Sequence, residues 1–214
     1  RAFAVNGSLS KGKLRGVGFI FVLCFLISSV LFLPLDVEYV IYGILLFAMM
    51  ISGYLDDASK TPWNEYKKGL IDLVISVVAV LTYMNFNSTT ICFGADEIVI
   101  PKALFLILGV ILIWVSVNVT NCTDGVDGLC ASLCSVTLLA FGVLFASVLQ
   151  KYAMANFLFL SVLFAYLYFN SSPSSMLMGD AGSRALGFYI AVIALKSTHP
   201  FIYILLAAVM IVDG

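Results

Sequence analysis

The chain has 214 residues, of which 62% are hydrophobic and only 11% are charged, and its mean hydropathy is +1.10. Soluble domains contain about 25% charged residues, so this composition excludes an ordinary soluble enzyme and indicates a membrane protein. The formal net charge of −1 says nothing about partners by itself. The positions of the few charges are therefore more informative than their sum.

Apolar runs that cross the hydrocarbon core of a bilayer need about 17–25 residues, and we predict about eight of them in this chain. The predicted spans, of which the last two are short, are 16–33, 39–55, 69–86, 101–118, 128–149, 153–169, 184–197 and 200–213. The runs are continuously apolar rather than alternating, so strands are not expected. The predicted fold class is all-α, a polytopic transmembrane helical bundle. It would form a single membrane domain over 1–214, and we expect flanking spans beyond both ends.

Basic residues predict the sidedness of the bundle. If the first span starts inside, the cytoplasmic segments are 1–15, 56–68, 119–127 and 170–183. These segments contain or border Arg1, Lys11, Lys13, Arg15, Lys60, Lys67, Lys68 and Arg184, whereas only Lys102, Lys151 and Lys196 lie on the other side. This asymmetry fits the positive-inside rule. The same orientation brings five acids from three segments to the cytoplasmic face: Asp56, Asp57, Asp124, Asp127 and Asp180.

The first polar motif is GYLDDASK, residues 53–60. Asp56 and Asp57 follow an apolar run without a spacer, so they lie near the hydrocarbon boundary, where charge is costly. Two adjacent carboxylates repel each other, which suits a general base or a cation site. Lys60 lies one helical turn beyond Asp56 and could neutralise it or hold a phosphate. The alternative is a helix end with acids that face water.

The second motif is NVTNCTDGVDGL, residues 118–129. Polar residues recur at every third position in it, and a helical turn or 3₁₀ segment would align them on one face: Asn118, Asn121, Asp124 and Asp127. The glycines between them would let the backbone approach a ligand. The alternative, a helix that begins with Asp127 as its N-cap, explains one of these residues and not the other three.

The third motif is MGDAGSRALG, residues 178–187, in which Asp180 stands between two glycines at the start of a predicted span. Exposed backbone amides at a helix N-terminus favour phosphate, and an acid beside them is most useful if Mg²⁺ bridges it to that phosphate. An N-cap is the alternative role for Asp180. A further acid, Asp72, lies within a predicted span, and the sequence leaves open whether it is functional.

Acids, asparagines and lysines thus converge on one predicted membrane face, with glycines that open the backbone to ligands. This set suits a Mg²⁺-dependent reaction on phosphates, with one substrate borne by a lipid and the other taken from the cytosol. A metal ion would neutralise phosphoryl charge, and a carboxylate can accept a proton from the nucleophile. The residues alone do not name the substrates.

The three motifs together resemble those of the polyprenyl-phosphate N-acetylhexosamine-1-phosphate transferases. That family carries a DD pair after a span, an N-x-x-N-x-x-D-G-x-D-G loop and a G-D-x-G-S loop, in the order seen here. Finer features resemble the branch that acts on muramoyl-pentapeptide: DDASK, KKGL, CTDGVDGL and MGDAGSRALG. The resemblance implies transfer of phospho-MurNAc-pentapeptide from UDP to undecaprenyl phosphate, which gives lipid I and UMP.

By position, the resemblance implies roles for individual residues. Asp56 and Asp57 match the catalytic acid pair, and Asp180 matches the Mg²⁺ ligand. The positions that match residues near the uridine and diphosphate are Lys60, Asn121, Asp124, Asp127 and Asn170. The sequence departs from the family pattern at two places. GKLRGVG (12–18) stands where the family has a different motif in its first cytoplasmic loop, and Arg184 replaces an apolar residue.

The resemblance also implies partners and a location. These are undecaprenyl phosphate, UDP-MurNAc-pentapeptide and membrane lipids, in a bacterial plasma membrane with the site facing the cytoplasm. No nucleic acid is expected as a partner, and a homodimer is left open. One alternative is a sibling transferase that uses UDP-GlcNAc. Another is an ion-coupled transporter, which would distribute its acids through the bilayer depth or on both sides.

Overall fold

The computed structural model describes residues 13–59, 61, 63–93 and 96–213 of the chain. Within these ranges the chain forms nine helices and a two-stranded sheet. The elements in chain order are α1 (Gly18–Phe32), α2 (Val37–Ala58), α3 (Glu65–Phe86), β1 (Thr90–Phe93), β2 (Asp96–Val99), α4 (Lys102–Thr123), α5 (Leu129–Phe145), α6 (Gln150–Asn170), α7 (Gly179–Lys196), α8 (Pro200–Leu206) and α9 (Ala208–Asp213).

Four of the helices in the described ranges are long and apolar enough to cross a membrane: α2, α3, α4 and α6. Helices α1 and α5 are apolar but shorter, so the predicted count of about eight spans is not confirmed. The outer faces of the long helices expose large apolar side chains, such as Leu73, Ile107 and Ile111. Extended apolar surface of this kind suits contact with lipid rather than with water.

Polar side chains define where two of the long helices begin. The Asp36 carboxylate accepts a hydrogen bond from the backbone N–H of Tyr39 at the start of α2. The Asn64 side chain accepts one from Tyr66 at the start of α3. Both bonds satisfy amides that have no partner inside the helix. The connection from α2, which ends at Ala58, to α3, which begins at Glu65, is short, so the end of α2 lies close to the beginning of α3.

Helix α7 is the centre of the bundle, and every residue in it except Asp180 is buried. Its predicted span, 184–197, was wrong at the start, because the helix begins at Gly179. The residues before 184 are small or polar and look like a loop by hydropathy, but they are enclosed by neighbouring helices. A Cβ placed on Gly53 of α2 would overlap with the backbone of Asp180, so only glycine permits this approach.

The all-α prediction omitted a hairpin. Strands β1 and β2 pair antiparallel within the segment that connects α3 to α4. The backbone N–H of Cys92 donates to the carbonyl oxygen of Thr198, 2.8 Å away, so the hairpin packs on the end of α7. Strands are admissible here because the hairpin lies at the end of the bundle, where the backbone need not be satisfied within one helix. The predicted span 200–213 is not confirmed as a single helix, since Ala207 separates α8 from α9.

Helices that follow one another in the chain from α1 to α7 run in alternating directions, so polar segments that are distant in sequence meet at one end of the bundle. Contacts between Lys13 and Asp127, between Lys68 and Asp180, and between Asn121 and Asp180 join the beginning of the described chain to the segments 56–68, 119–127 and 170–183. We call this the site end of the bundle. The predicted convergence of these segments is confirmed, whereas the side of the membrane that they face stays a prediction.

The contact between α2 and α7 predicts a sensitive position. Gly53→Ala is expected to lower the free energy of unfolding by about 1–3 kcal/mol, because the added methyl group overpacks the junction. Gly69→Ala is the matched control, since a Cβ on Gly69 of α3 meets nothing within 4 Å. The melting temperatures of the two purified variants provide the measurement. Equal melting temperatures would contradict the proposed tight junction.

Candidate functional site

The last turn of α2 and the first turn of α3 form one side of the site. Asp56 is buried, and its Oδ1 accepts a hydrogen bond from the backbone N–H of Trp63 at 2.7 Å. Its Oδ2 forms an ion pair with Lys68 Nζ at 2.6 Å. Both carboxylate oxygens of Asp56 are therefore engaged within the protein. The main consequence is that Lys68 is held over the end of α2.

Lys68 extends this cluster to α7 and α4. Its Nζ lies 3.4 Å from Asp180 Oδ2, and Asn121 Nδ2 donates to the same oxygen at 3.5 Å. The Ser183 hydroxyl lies 3.3 Å from Asn121 Oδ1. Four helices thus contribute polar groups to one place. The longer distances around Asp180 show a carboxylate that is held less tightly than Asp56.

Asp57 occupies the remaining side of the cluster and is exposed, unlike Asp56. Its Oδ2 accepts a hydrogen bond from the backbone N–H of Ala181 at 3.4 Å, at the N-terminus of α7. Partial positive charge at a helix N-terminus favours an anion at that position. Gly179 has φ +69°, and a Cβ there would overlap with the Asp57 carboxylate. Glycine therefore lets Asp57 approach the helix terminus while it remains accessible.

A second cluster joins the segment before α1 to the loop after α4. Asp127 Oδ2 lies 3.0 Å from Lys13 Nζ and accepts a hydrogen bond from the backbone N–H of Ser174 at 3.1 Å. Lys13 Nζ also donates to the Ser174 hydroxyl at 2.7 Å. Burial raises the pKa of Asp127, but the bonds from Ser174 and Lys13 outweigh it and hold the pKa below its ordinary value. Asp127 is not the N-cap of α5, which is Gly128.

Asn170 holds loops together at the same end. Its Oδ1 accepts a hydrogen bond from the backbone N–H of Gly128 at 3.0 Å, and its Nδ2 donates to the carbonyl oxygen of Met176 at 2.8 Å. Asn170 is buried, and Gly128 has φ +76°. The side chain thus links the loop after α4 to the loop before α7. These contacts position the loops around the site.

The predicted single polar face of the second motif is divided by the structure. Helix α4 ends at Thr123, so Asp124 is its buried C-cap residue and Asp127 lies in the following turn. Asn118 is exposed and donates to the carbonyl oxygen of Trp114 in its own helix. Asn121 contacts Asp180. The regular spacing by three was misleading because the helix does not continue through the motif.

The structure adds two lysines that were not predicted as site residues. Lys68 was noted only as a basic residue and as part of KKGL, and Lys13 only as a basic residue. Lys68 could have been identified from its position in the first turn of the helix that follows the DD motif, because a lysine there can reach the acids. Lys60, which was predicted to bind substrate, lies outside the described residues.

The carboxylates of Asp57 and Asp180 are the groups in this cluster that could serve a divalent cation. In the described part of the chain, no three His, Cys, Asp or Glu side chains are grouped closely enough to hold a metal ion by themselves. Mg²⁺ is commonly held by one or two carboxylates, with water and substrate phosphates as its other ligands. The oxygen donors present here fit a cation bound in that way.

A model of glycosyl transferase family 4 matches residues 39–198. The chain belongs to this family. The matched region contains the cluster formed by Asp56, Asp57, Lys68, Asn121 and Asp180, whereas Lys13 lies before it.

Curated relatives carry a more specific name. The chain is 35% identical over 236 aligned residues to the phospho-N-acetylmuramoyl-pentapeptide-transferase of Treponema pallidum strain Nichols, covering 100% of this chain and 65% of that protein. It is 29% identical to the protein of the same name from Wolinella succinogenes, covering 99% of this chain and 68% of that protein. For Dictyoglomus thermophilum the identity is 27%, over 79% and 56%. The chain therefore spans less than two thirds of the Treponema protein.

The second cluster predicts a pH-dependent contribution to stability. Asp127→Asn is expected to lower the free energy of unfolding by about 1 kcal/mol at pH 7, because an amide cannot form the ion pair with Lys13. The folded-state pKa of Asp127 is lowered, so this contribution is complete above the unfolded-state value of about 3.9 and is lost as the pH falls through the folded-state value.

Melting temperatures of the two proteins between pH 7 and pH 3 provide the measurement. The difference between wild type and Asp127→Asn should shrink below about pH 4. Asp96→Asn, at an exposed position in β2, is the control and should show no such difference. A gap that stays constant with pH would contradict an ionised Asp127 in this cluster.

Proposed function

We propose that the protein transfers phospho-MurNAc-pentapeptide from UDP-MurNAc-pentapeptide to undecaprenyl phosphate, giving lipid I and UMP. The observation that carries the proposal is the convergence of Asp56, Asp57, Lys68, Asn121 and Asp180 from four helices at one end of a membrane bundle. The name shared by the relatives supports this substrate pair. In the reaction, an oxygen of the lipid phosphate forms a new bond to the sugar-linked phosphorus, and the bond from that phosphorus to UMP breaks.

The two adjacent acids would have different roles. Asp56 is buried and already bound to Lys68 and to the backbone N–H of Trp63. Asp57 is exposed and accepts a long hydrogen bond from the backbone N–H of Ala181. We therefore assign Asp57 as the base that accepts the proton of the lipid phosphate. Asp56 would position Lys68, whose ammonium group can bind a phosphate oxygen of the donor.

Asp180 would be the principal protein ligand for Mg²⁺, as the resemblance implies. When bound, Mg²⁺ would neutralise the charge of the diphosphate and of the leaving UMP. The weak contacts of Asp180 with Lys68 and Asn121 support this assignment, because they can be exchanged for a cation at little cost. Asn121 would keep the carboxylate oriented during that exchange.

The remaining predicted substrate residues would lie around the nucleotide. Asp124, Asp127 and Asn170 are at the site end, where Asn170 and Asp127 brace the loops through Gly128 and Ser174. We propose that they shape a pocket for the uridine and diphosphate. Lys60 stays a prediction as a further phosphate contact. The proposed location is a bacterial plasma membrane, with the site facing the cytoplasm among membrane lipids, and a homodimer stays an untested prediction.

The alternatives differ in how they fit the structure. A transporter would need unpaired acids along a pathway, whereas the buried acids Asp72 and Glu38 are each paired with a base of α7. Family membership also favours a transferase. A sibling transferase that uses UDP-GlcNAc would share the phosphate chemistry and differ only in the sugar pocket.

Substrate identity is tested with the purified full-length protein, Mg²⁺, undecaprenyl phosphate and one UDP-sugar at a time. We expect UMP release with UDP-MurNAc-pentapeptide and none above background with UDP-GlcNAc. Turnover of UDP-GlcNAc alone would overturn the proposed donor. The absence of UMP with either donor, from a protein that is folded by its melting curve, would overturn the proposed reaction.

The different roles of the acids lead to a further prediction. Asp57→Asn is expected to lower kcat by about 10²–10⁴-fold with little change in melting temperature, because Asp57 is exposed. Asp56→Asn should lower the melting temperature as well, since it leaves Lys68 without its nearest carboxylate. Measured kcat and melting temperature for both variants provide the test. An Asp57→Asn variant with the pH-rate profile and kcat of the wild type would contradict its role as the base.

A further inference from the structure

One helical turn further into the bundle from the acidic cluster lies a buried ion pair. Arg184 Nη2 of α7 donates to Asp72 Oδ1 of α3. The two side chains are only 1% and 3% exposed. A buried charge is costly unless it is paired, so the presence of an arginine at this depth in α7 requires an explanation within this chain.

Each partner of this ion pair also has an oppositely charged residue one turn away on its own helix. Arg184 follows Asp180 by four residues on α7, and Asp72 follows Lys68 by four residues on α3. Opposite charges at this spacing form ion pairs along a helix. Long side chains on a helix also lean towards its N-terminus, so Arg184 leans towards Asp180. An isolated α7 would therefore pair Arg184 with Asp180.

The structure replaces both intrahelical pairs by pairs between helices. Lys68 contacts Asp56 and Asp180, at 2.6 Å and 3.4 Å, rather than Asp72. Asp72 in turn binds Arg184. As a result, the carboxylate of Asp180 at the surface of the site is left with the long contacts to Lys68 and Asn121 described above, rather than with a guanidinium. The guanidinium group of Arg184 is held by Asp72, one helical turn away from Asp180.

Arg184 retains hydrogen-bonding capacity that is not used. Its Nε and Nη1 are buried and find no hydrogen-bond partner in the described part of the chain. Buried guanidinium donors without partners carry a large desolvation penalty. If Asp72 did not hold Arg184, the nearest compensating charge on its own helix would be Asp180, and bidentate guanidinium pairs with carboxylates are strong.

We propose that Asp72 is a positioning residue that holds Arg184 away from Asp180 and thereby keeps Asp180 available to a divalent cation. This inference rests on the proposed role of Asp180 as the Mg²⁺ ligand. It goes beyond that role because it assigns a task to two buried residues that touch neither substrate nor metal. Without Asp72, the guanidinium competes with the cation for the same carboxylate.

The chain offers a matched control at the opposite end of the bundle. Lys196, also on α7, forms a buried ion pair with Glu38 of α2 at 3.0 Å. Asn87 accepts a further hydrogen bond from Lys196 at 2.6 Å. Loss of Glu38 would leave a buried cation of α7 unpaired, as loss of Asp72 would, but far from Asp180. The two variants therefore separate a loss of stability from a loss of cation binding.

The test measures Mn²⁺ binding to the purified full-length protein, from the decrease of the electron paramagnetic resonance signal of the free ion. Asp72→Asn is expected to weaken Mn²⁺ binding by about tenfold, and the double variant Asp72→Asn/Arg184→Gln is expected to restore it. Glu38→Gln should lower the melting temperature but bind Mn²⁺ as the wild type does. Asp180→Asn should abolish the binding and so identifies the site.

A second pair of variants guards against loss of folding in Asp72→Asn. Asp72→Asn/Arg184→Gln and Asp72→Asn/Arg184→Lys share the change at 72 and differ only in the charge at 184. A buried lysine can lose its proton or bend towards water more readily than arginine. The second double variant therefore keeps a positive charge at position 184 and should be less destabilised than Asp72→Asn alone. Weaker Mn²⁺ binding in that variant than in its neutral counterpart is the expected result.

The possible outcomes separate the inference from the function on which it rests. Equal Mn²⁺ affinity in the wild type, in Asp72→Asn and in both double variants would overturn the positioning role while leaving Asp180 as a ligand. If Glu38→Gln weakened Mn²⁺ binding as much as Asp72→Asn does, the effect would be explained by a general loss of stability, and the positioning role of Asp72 would be overturned as well. Mn²⁺ binding that is unchanged by Asp180→Asn would overturn the proposed metal ligand and the inference with it.

Discussion

The close packing of α7 against its neighbours is the constraint on which the rest of the structure depends. Glycines allow it at several levels. A Cβ on Gly18 of α1 would overlap with Gly182, one on Gly53 of α2 with Asp180, and one on Gly187 with the backbone of α4. Without a hydrophobic driving force between helices in lipid, small residues and buried polar contacts must hold the bundle together. The N-terminus of α7, and Asp180 with it, is therefore fixed relative to α2.

Buried charge sets the second constraint, and it also acts through α7. This helix carries two buried cations, and each is compensated by an acid from a different helix, Asp72 of α3 and Glu38 of α2. A buried charge without a partner is strongly destabilising, so these pairs restrict how α2 and α3 can rotate about α7. The same rotation determines where Asp56, Asp57 and Lys68 point. The packing of the helices therefore also determines the geometry of the site.

Much of the organisation could be predicted from the sequence, and the errors have physical causes. Long apolar runs predicted α2, α3, α4 and α6, because length and hydropathy suffice to recognise them. The start of α7 was missed because its first turn is small and polar but enclosed by protein, which hydropathy does not detect. The hairpin between α3 and α4 was missed because each strand has four residues, too few for a periodic signal.

The sequence by itself determined the class of protein, the three polar motifs and, through the alternation of spans, their meeting at one end of the bundle. These properties depend on composition and on the order of the elements along the chain. Only the tertiary structure decided that Asp57 rather than Asp56 is accessible, that Lys68 joins the acids, and that Arg184 binds Asp72. Lys68 and Asp180 are 112 residues apart, and a side chain chooses among such partners by the packing of whole helices, which no local pattern encodes.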